Sequence, residues 1–153
     1  GIGIASFIEV TNPSAAFYGV GGAKISAQDG VTIKLDAQGA IICQTGVTEQ
    51  GQGAEAVIAQ VAASSFGVPI ERVRIITGDT DNTPYGGGTW ASRGAGIGGE
   101  AVLLAGRALM ANILDVAAKI LNVEKETLGI ENDAVVNKLT LSFYAETVFS
   151  LVL

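Results

Sequence analysis

The sequence predicts an α+β fold of the two-layer α/β kind, in which a β-hairpin and further strands are packed by two main helices. Apolar and polar residues alternate over Val31–Leu35, and the turn "DAQG" and a second apolar run, "AIICQTG", follow. This pattern is typical of a β-hairpin. A helical period begins at Ala54 and returns in a longer stretch, from Gly99 to Leu121. Between the two helices, the alternating stretch "ERVRIITG" predicts another strand.

Local signals predict the remaining elements in order. The opening "GIGIASFIEV" is apolar enough to predict a buried strand, and a loop around Pro13 follows it. Gly67 and Pro69 are expected to end the first helix, because glycine favours the left-handed C′ position and proline cannot continue a helix. The stretch "GDTDNTPYGGGTWASRGAGIGGE" predicts a long loop before the second helix. "TLGIENDAVVNKLTLSF" predicts short strands around an Asn-Asp turn.

The chain is predicted to form a single, partial domain over residues 1–153, with both ends truncated. Its first residues read as a strand already under way, and its last, "SFYAETVFSLVL", stop on apolar side chains. Natural termini are usually polar and frayed. The pattern shows no internal repeat and no linker.

Composition excludes several kinds of site. Cys43 is the one cysteine and histidine is absent, so a disulfide framework, a zinc ribbon, a cysteine-ligated iron–sulfur cluster and Ser-His-Asp chemistry are excluded within this chain. The net charge is −6 and no Lys/Arg run exists, which argues against nucleic-acid and anionic membrane partners. No apolar run is expected to approach the length of a membrane span, and a cytoplasmic location is the default expectation.

Two glycine-rich loops, each followed by a helix, are the candidate binding site. In "TEQGQGAE", Gly51 and Gly53 leave the first amides of a helix accessible to an anion, and Gln52 between them can both donate and accept hydrogen bonds. A tight turn without a ligand is the competing interpretation. The second loop, "YGGGTWASRGAGIGG", offers the hydroxyls of Thr89 and Ser92. Two such loops in one small domain predict one extended anionic ligand.

Three features of the second loop have two possible meanings. Arg93 presents a planar fork suited to phosphate or carboxylate, but it could equally be an ordinary salt-bridge partner. The Trp90 side chain could line a ligand pocket, or it could only pack against other side chains. The whole loop could be a mobile surface segment, although stretches of this length without secondary structure are uncommon unless they are functional.

Five other residues are given structural roles. Asp79 and Asp81 have a metal-like spacing, but the glycine and bidentate glutamate of a calcium loop are missing, so they are interpreted as turn formers. Glu55 and Glu100 are interpreted as helix-start residues, because acidic side chains favour the first turn. Cys43 is interpreted as a core residue, because no histidine is present to activate its thiol.

The stretch "GVTEQGQGAEAVIAQVAASSFGVPIERVRIITGDTDNTPYGGGTWASRG" resembles the molybdenum-cofactor-binding region of the xanthine dehydrogenase / aldehyde oxidase family. The ordered similarity comprises Gly-Gln-Gly, a helix with "IAQ", "GVPIERVRI", "GDTD", a glycine run and "SR" before a helix. It covers about Val31 to Leu121 well, and "GIGIASFIEV" more loosely. The tail after about Leu139 departs from the family pattern, and the "GGGFG"-type loop of the other cofactor half is absent.

The resemblance implies part of the large subunit of a molybdenum hydroxylase, an oxidoreductase that uses water as the oxygen source on an aldehyde or N-heteroaromatic. It implies a molybdopterin cofactor with molybdenum, often as the cytosine dinucleotide, and iron–sulfur clusters and FAD on partner subunits or domains. The implied cofactor-binding residues are Gly51, Gln52, Gly53, Thr89, Ala91, Ser92, Arg93 and Gly94. The family's catalytic base lies in a "GxGE"-type motif downstream, and that role is not carried over to Glu100 in "GIGGEAV". The piece alone is expected to be inactive.

Two other functions stay open from the residues. The chain could be a free-standing nucleotide- or phosphate-binding module that uses the same loops without molybdenum. It could also be a non-catalytic interaction remnant, which would expose apolar surface.

Overall fold

The computed structural model describes residues 1–22, 24, 26–131 and 134–140. Two helices and five strands make up its regular framework, and short 3-10 turns connect some of them. In chain order these elements are β1 (Val31–Leu35), β2 (Ile41–Thr45), α1 (Ala54–Phe66), β3 (Val73–Ile76), α2 (Gly99–Leu121), β4 (Leu128–Glu131) and β5 (Ala134–Asn137). The two main helices and small sheets confirm the predicted α+β fold.

The predicted β-hairpin is confirmed. Strands β1 and β2 are antiparallel, with Val31 opposite Thr45 and Leu35 opposite Ile41. The carboxylate of Asp36 closes the turn by accepting the N–H groups of Gln38 at 2.9 Å and Ala40 at 2.7 Å. An aspartate that bonds to the backbone of its own turn favours this tight connection.

The third strand sets the position of the candidate site. Strand β3 pairs in parallel with β2, giving the order β1-β2-β3, and α1 is the crossover between them. Every residue of the central strand β2 is buried. The carboxyl ends of β2 and β3 therefore lie at one edge of the sheet, and both glycine-rich loops begin there.

Helix α1 ends as the sequence predicts. Gly67 has a φ of 67°, in the left-handed region, and its N–H donates to the carbonyl of Ala63. Pro69 follows two residues later. Because glycine has no Cβ, it adopts this conformation without steric cost, and the chain can turn toward β3.

Helix α2 joins two hydrophobic cores. Its amino-terminal half packs with α1 and the sheet, and its carboxyl-terminal half packs with the β4–β5 hairpin. The first core is formed by Cys43, Ile58, Ala62 and Val102, and the second by Ile113, Ala117, Leu128 and Val135. At Gly106, an added Cβ would lie 2.5 Å from the Ser65 hydroxyl, so glycine permits the close approach of α1 and α2.

The long loop before α2 ends earlier than predicted. Gly94–Gly98 form a π-helical turn that runs directly into α2, and the N–H of Ile97 donates to the carbonyl of Arg93 at 2.8 Å. An added Cβ at Gly98 would lie 2.6 Å from a Val47 methyl group. The glycines that made this stretch resemble a loop instead allow the start of the helix to pack tightly.

Two expectations about apolar segments are wrong. Residues Ile2, Ile4 and Ile8 are 98%, 94% and 99% exposed, and the predicted first strand does not form. A strand needs a neighbour for its N–H and C=O groups, and no described strand pairs with this segment.

The second expectation concerned the length of apolar segments. The helical stretch Gly94–Leu121 is long and apolar enough to cross a membrane by length and composition, with a mean hydropathy of 1.6. In the structure it contributes residues to both cores.

The last predicted strands form the β4–β5 hairpin, in which Leu128 is opposite Asn137 and Glu131 is opposite Ala134. The Asn-Asp turn at 132–133 lies outside the described residues, as does the tail over 141–153 that departs from the family pattern.

Cys43 is a core residue, as predicted, and its burial has a testable consequence. The side chain is fully buried, and loss of solvation raises the pKa of the thiol from 9.0 to about 12. We expect the native protein to resist a thiol reagent at neutral pH and to react once it is unfolded in urea. Rapid labelling of the native protein would contradict this placement.

The same burial predicts a pH dependence of stability. Because the folded-state pKa is raised, the contribution to the free energy of unfolding is complete below about pH 9 and is lost as the pH rises toward about 12. Urea unfolding over this range should therefore show a steeper loss for the native chain than for Cys43→Ala, which has no thiol to ionise.

Candidate functional site

A hydroxyl group joins the two glycine-rich loops, defined here as the first loop (residues 46–53) and the second loop (residues 77–93). The Thr89 hydroxyl donates to the carbonyl of Thr48 at 2.7 Å and accepts the N–H of Thr48 at 2.8 Å. The two threonine hydroxyls also lie 3.1 Å apart. The Thr89 hydroxyl therefore holds the loops together and is not the free donor that the sequence predicted.

Both joined loops contribute to a pocket of about 480 Å³ that contains Gln52 and the turn at residues 90–94. This volume lies within the range of small-molecule sites. Six of the eight predicted site residues line it, and they are Gln52, Thr89, Ala91, Ser92, Arg93 and Gly94. The other described lining residues are Glu9, Gln50, Ala54, Val57, Trp90 and Ala95. Gly51 and Gly53 flank Gln52 outside this lining, with φ values of 92° and 81°.

A strained turn presents the second loop to the pocket. Ala91 and Ser92 have φ values of 46° and 47°, and the N–H of Arg93 donates to the carbonyl of Trp90 at 3.2 Å. Two successive positive φ values with this bond describe a type I′ turn. Residues with a Cβ adopt this conformation at a cost, and neighbours must hold them there. One restraint comes from the N–H of Asn12, which donates to the carbonyl of Ala91 at 3.2 Å.

Arg93 is a buried salt-bridge partner. Its side chain is fully buried, and Nη1 lies 2.9 Å from Oδ2 of Asp29, which is also fully buried. Nη2 donates to the carbonyl of Gln28 at 2.8 Å, and Nη1 also donates to the carbonyl of Gly88. The planar fork is committed to the protein, so the predicted fork-to-phosphate contact is not available from these two nitrogens. Sequence reasoning missed Asp29, because no spacing pattern connects it with a residue 64 positions later.

Two other N–H donors of the pocket residues have no partner. Among the described residues, Nε1 of Trp90 and Nε of Arg93 are buried without a hydrogen bond, as is Oδ1 of Asp29. The Trp90 ring packs against Phe17 with 5.5 Å between ring centroids. Unpaired buried donors are costly, which makes the two N–H groups suited to donate hydrogen bonds to oxygens of a ligand.

The amides of the first loop are already occupied by Glu49. Its Oε1 accepts the N–H groups of Gly51 at 2.7 Å and Gly53 at 3.0 Å, and its Oε2 accepts that of Glu55 at 3.1 Å. The bond from Glu55, with those from the other amides, lowers the pKa of the exposed Glu49 carboxyl despite opposing desolvation. The expectation of bare amides for a ligand's phosphate is thus wrong in this structure. An acidic residue shortly before the helix was the available signal.

The Gln52 amide is folded onto its own loop. Its Oε1 accepts the N–H of Gln50 at 2.6 Å, and its Nε2 donates to the carbonyl of Thr48 at 3.2 Å. An amide oxygen has two lone pairs and an amide nitrogen two hydrogens, so each atom retains one further bonding position. Gln52 is exposed and lines the pocket, where those positions can meet a ligand.

The acidic residues that were predicted to be turn formers or helix-start residues are found at those positions. The Asp79 carboxylate accepts the N–H of Asp81 at 3.0 Å and the amide of Asn82 at 2.6 Å, which confirms a turn former. These bonds, led by that from Asn82, lower the pKa of Asp79. Glu55 and Glu100 lie in the first turns of α1 and α2. Within the described part of the chain, no group of three or more His, Cys, Asp or Glu residues could hold a metal ion.

The buried ion pair gives a stability prediction. We expect Arg93→Met to lower the free energy of unfolding by about 3–5 kcal/mol, because Asp29 would remain buried without its cation. Adding Asp29→Asn should recover part of this loss. Lys125→Met is the control, because its pair with Asp115, at 2.7 Å, is 35% and 52% exposed and should contribute at most about 1 kcal/mol. Equal losses for both single variants in urea unfolding would contradict the structure.

The chain is similar to known proteins in sequence and in fold. The chain is 34% identical over 132 residues to the nicotine 6-hydroxylase large subunit of Paenarthrobacter nicotinovorans, covering 86% of this chain and 16% of that protein. It superposes on a Cu,Mo-CO dehydrogenase with a TM-score of 0.78 at 30% identity, covering 94% of this chain and 18% of that one. For quinoline 2-oxidoreductase from Pseudomonas putida 86 the TM-score is 0.76 at 31% identity, covering 93% and 18%.

The chain thus spans less than a fifth of the length of these relatives. The model of the molybdopterin cofactor-binding domain matches residues 1–150, nearly the whole sequence. This chain belongs to the molybdopterin cofactor-binding domain family.

Proposed function

We propose that this chain forms one wall of the cofactor site in the large subunit of a molybdenum hydroxylase, and that its pocket binds molybdopterin in the cytosine dinucleotide form. The observation that carries the proposal is the pair of unpartnered N–H donors, on Trp90 and Arg93, in a pocket built from both glycine-rich loops. A phosphorylated pterin nucleotide is rich in oxygen and nitrogen acceptors, so it matches these donors.

The residues of the pocket fit such a group. The Trp90 and Arg93 N–H groups and the Ser92 hydroxyl would donate to its oxygens, and the remaining bonding positions of Gln52 would meet a ring edge that both donates and accepts. Ala91 and Gly94 have little or no side chain and would let the ligand approach the backbone. Gly51, Gly53 and Thr89 would act indirectly, by shaping and joining the loops.

The site has little unpaired positive charge. The chain has a net charge of −6, and the positive charge of Arg93 is paired with Asp29. We infer that phosphate is held mainly by neutral donors and by one guanidinium N–H. Long-range electrostatic attraction between the protein and the ligand would contribute little.

When bound, the molybdenum–pterin group would supply two-electron redox chemistry at carbon with water as the oxygen source. This chain would bind and orient it, and we assign the catalytic base to no residue here. An N-heteroaromatic or aldehyde substrate is proposed, and the names of nicotine 6-hydroxylase and quinoline 2-oxidoreductase support the former. Partners would be the rest of the large subunit and subunits or domains carrying iron–sulfur clusters and FAD, in the cytoplasm.

The test is the cofactor content of the protein purified from its own host. Molybdenum and the oxidised fluorescent pterin with its nucleotide would be quantified per protein chain. Near-stoichiometric amounts with released cytidine nucleotide are the expected result. Absence of metal and pterin, in a host that loads other molybdoenzymes, would overturn the proposal.

A variant tests the Trp90 donor directly. Trp90→Phe keeps a ring against Phe17 but removes the N–H, and the loss of one hydrogen bond should weaken cofactor retention about fivefold, equivalent to about 1 kcal/mol. Retention would be measured as pterin remaining after gel filtration under dilution. Tyr18→Phe is the control, because it removes one polar atom from an exposed ring outside the pocket lining. Equal retention by both variants would exclude Trp90 as a ligand donor.

A further inference from the structure

We propose that Glu49 is a positioning residue whose carboxylate is the permanent anion of the first loop, so that this loop presents Gln52 while the ligand's phosphates bind at the second loop. This inference rests on the proposed function for the identity of the ligand. Its first half, the occupation of the amides by Glu49, concerns the chain alone and can be tested separately.

The contacts of Glu49 define an amide nest, made of the N–H groups of Gln50, Gly51, Gly53 and Glu55. The distances from its carboxylate oxygens to these nitrogens are 3.1, 2.7, 3.0 and 3.1 Å, in that order. The positive φ values of Gly51 and Gly53 turn successive N–H groups toward one point. Such nests and the first turn of a helix both favour an anion.

An external phosphate would have to displace a tethered competitor. Glu49 is in the same loop, so its carboxylate reaches the nest without the loss of translational freedom that a free anion pays. Several hydrogen bonds to the charged form also keep it ionised at neutral pH, as the lowered pKa indicates. The N–H groups of Trp90 Nε1 and Arg93 Nε have no partner in the described part of the chain, and both residues belong to the second loop and line the same pocket.

Occupation of the nest also determines the orientation of Gln52. The N–H of Gln50 is shared by Oε1 of Glu49 at 3.1 Å and Oε1 of Gln52 at 2.6 Å. The other end of the Gln52 amide donates to the carbonyl of Thr48, which also accepts the Thr89 hydroxyl. Glu49, Gln52 and the joint between the loops therefore form one connected hydrogen-bond network.

The experiment compares Glu49→Ala, Glu49→Gln and a matched control in the protein expressed from its own gene. Asp36→Ala is the control, because Asp36 also bonds two backbone N–H groups of a turn, but it lies outside the pocket lining. Two quantities are measured for each protein. They are hydrogen exchange of the backbone amides over residues 50–55 and the molybdenum and pterin content per chain.

We expect Glu49→Ala to accelerate exchange of the nest amides about tenfold and to reduce pterin content several-fold, with Glu49→Gln between it and the native protein because one acceptor oxygen remains. Asp36→Ala should change neither quantity. Acetate added to Glu49→Ala should restore protection of the same amides, because a free carboxylate can enter the vacated nest. A general loss of structure would not respond to acetate in this way.

The opposite results are distinguishable. If Glu49 only competes with the ligand's phosphate, Glu49→Ala will hold the pterin as well as the native protein or more tightly, and the proposal is wrong. Unchanged exchange of the nest amides in Glu49→Ala would also overturn it. If the native protein contains no pterin, the proposed function fails, and the exchange data still decide whether Glu49 occupies the nest.

Discussion

The parallel pairing of β2 with β3 is the constraint on which the rest of the structure depends. It places the carboxyl ends of two sequence-distant strands at one edge of the sheet, so that both glycine-rich loops start side by side. The Thr89 hydroxyl can then bond both backbone groups of Thr48, 41 residues away. Helix α1 makes this possible as the crossover, and α2 fixes the assembly by packing into both cores.

The two loops contribute different hydrogen-bonding groups to the site. In the first loop, the charge of the helix start and its exposed amides are satisfied internally, by Glu49. In the second, the guanidinium of Arg93 is held by Asp29 and backbone carbonyls, but its Nε and the Trp90 indole retain unpaired N–H groups. These two N–H groups can donate to a ligand that brings its own acceptors.

The strain of the second loop belongs to the same arrangement. Ala91 and Ser92 occupy a left-handed turn that glycine would adopt more easily, and they persist there because the Arg93 side chain and Asn12 hold the loop on either side. This couples presentation of the Ser92 hydroxyl to the buried ion pair. A polar network of this kind is costly to break at any one member, so a substitution of Arg93 is expected to lower the stability of the fold.

The sequence by itself determined the hairpin, both helices and the helix end at Gly67, because periodicity and turn chemistry are local properties. The grouping of Gln52 with Ala91, Ser92 and Gly94 was implied by the resemblance of its spaced motifs to a known family. The sequence could not decide whether the apolar opening segment forms a strand, since strand formation depends on a neighbour elsewhere in the fold. Nor could it assign Arg93 to Asp29 or the loop amides to Glu49. Which of several chemically suitable partners a polar group takes depends on distances in space, and only the tertiary structure sets those distances.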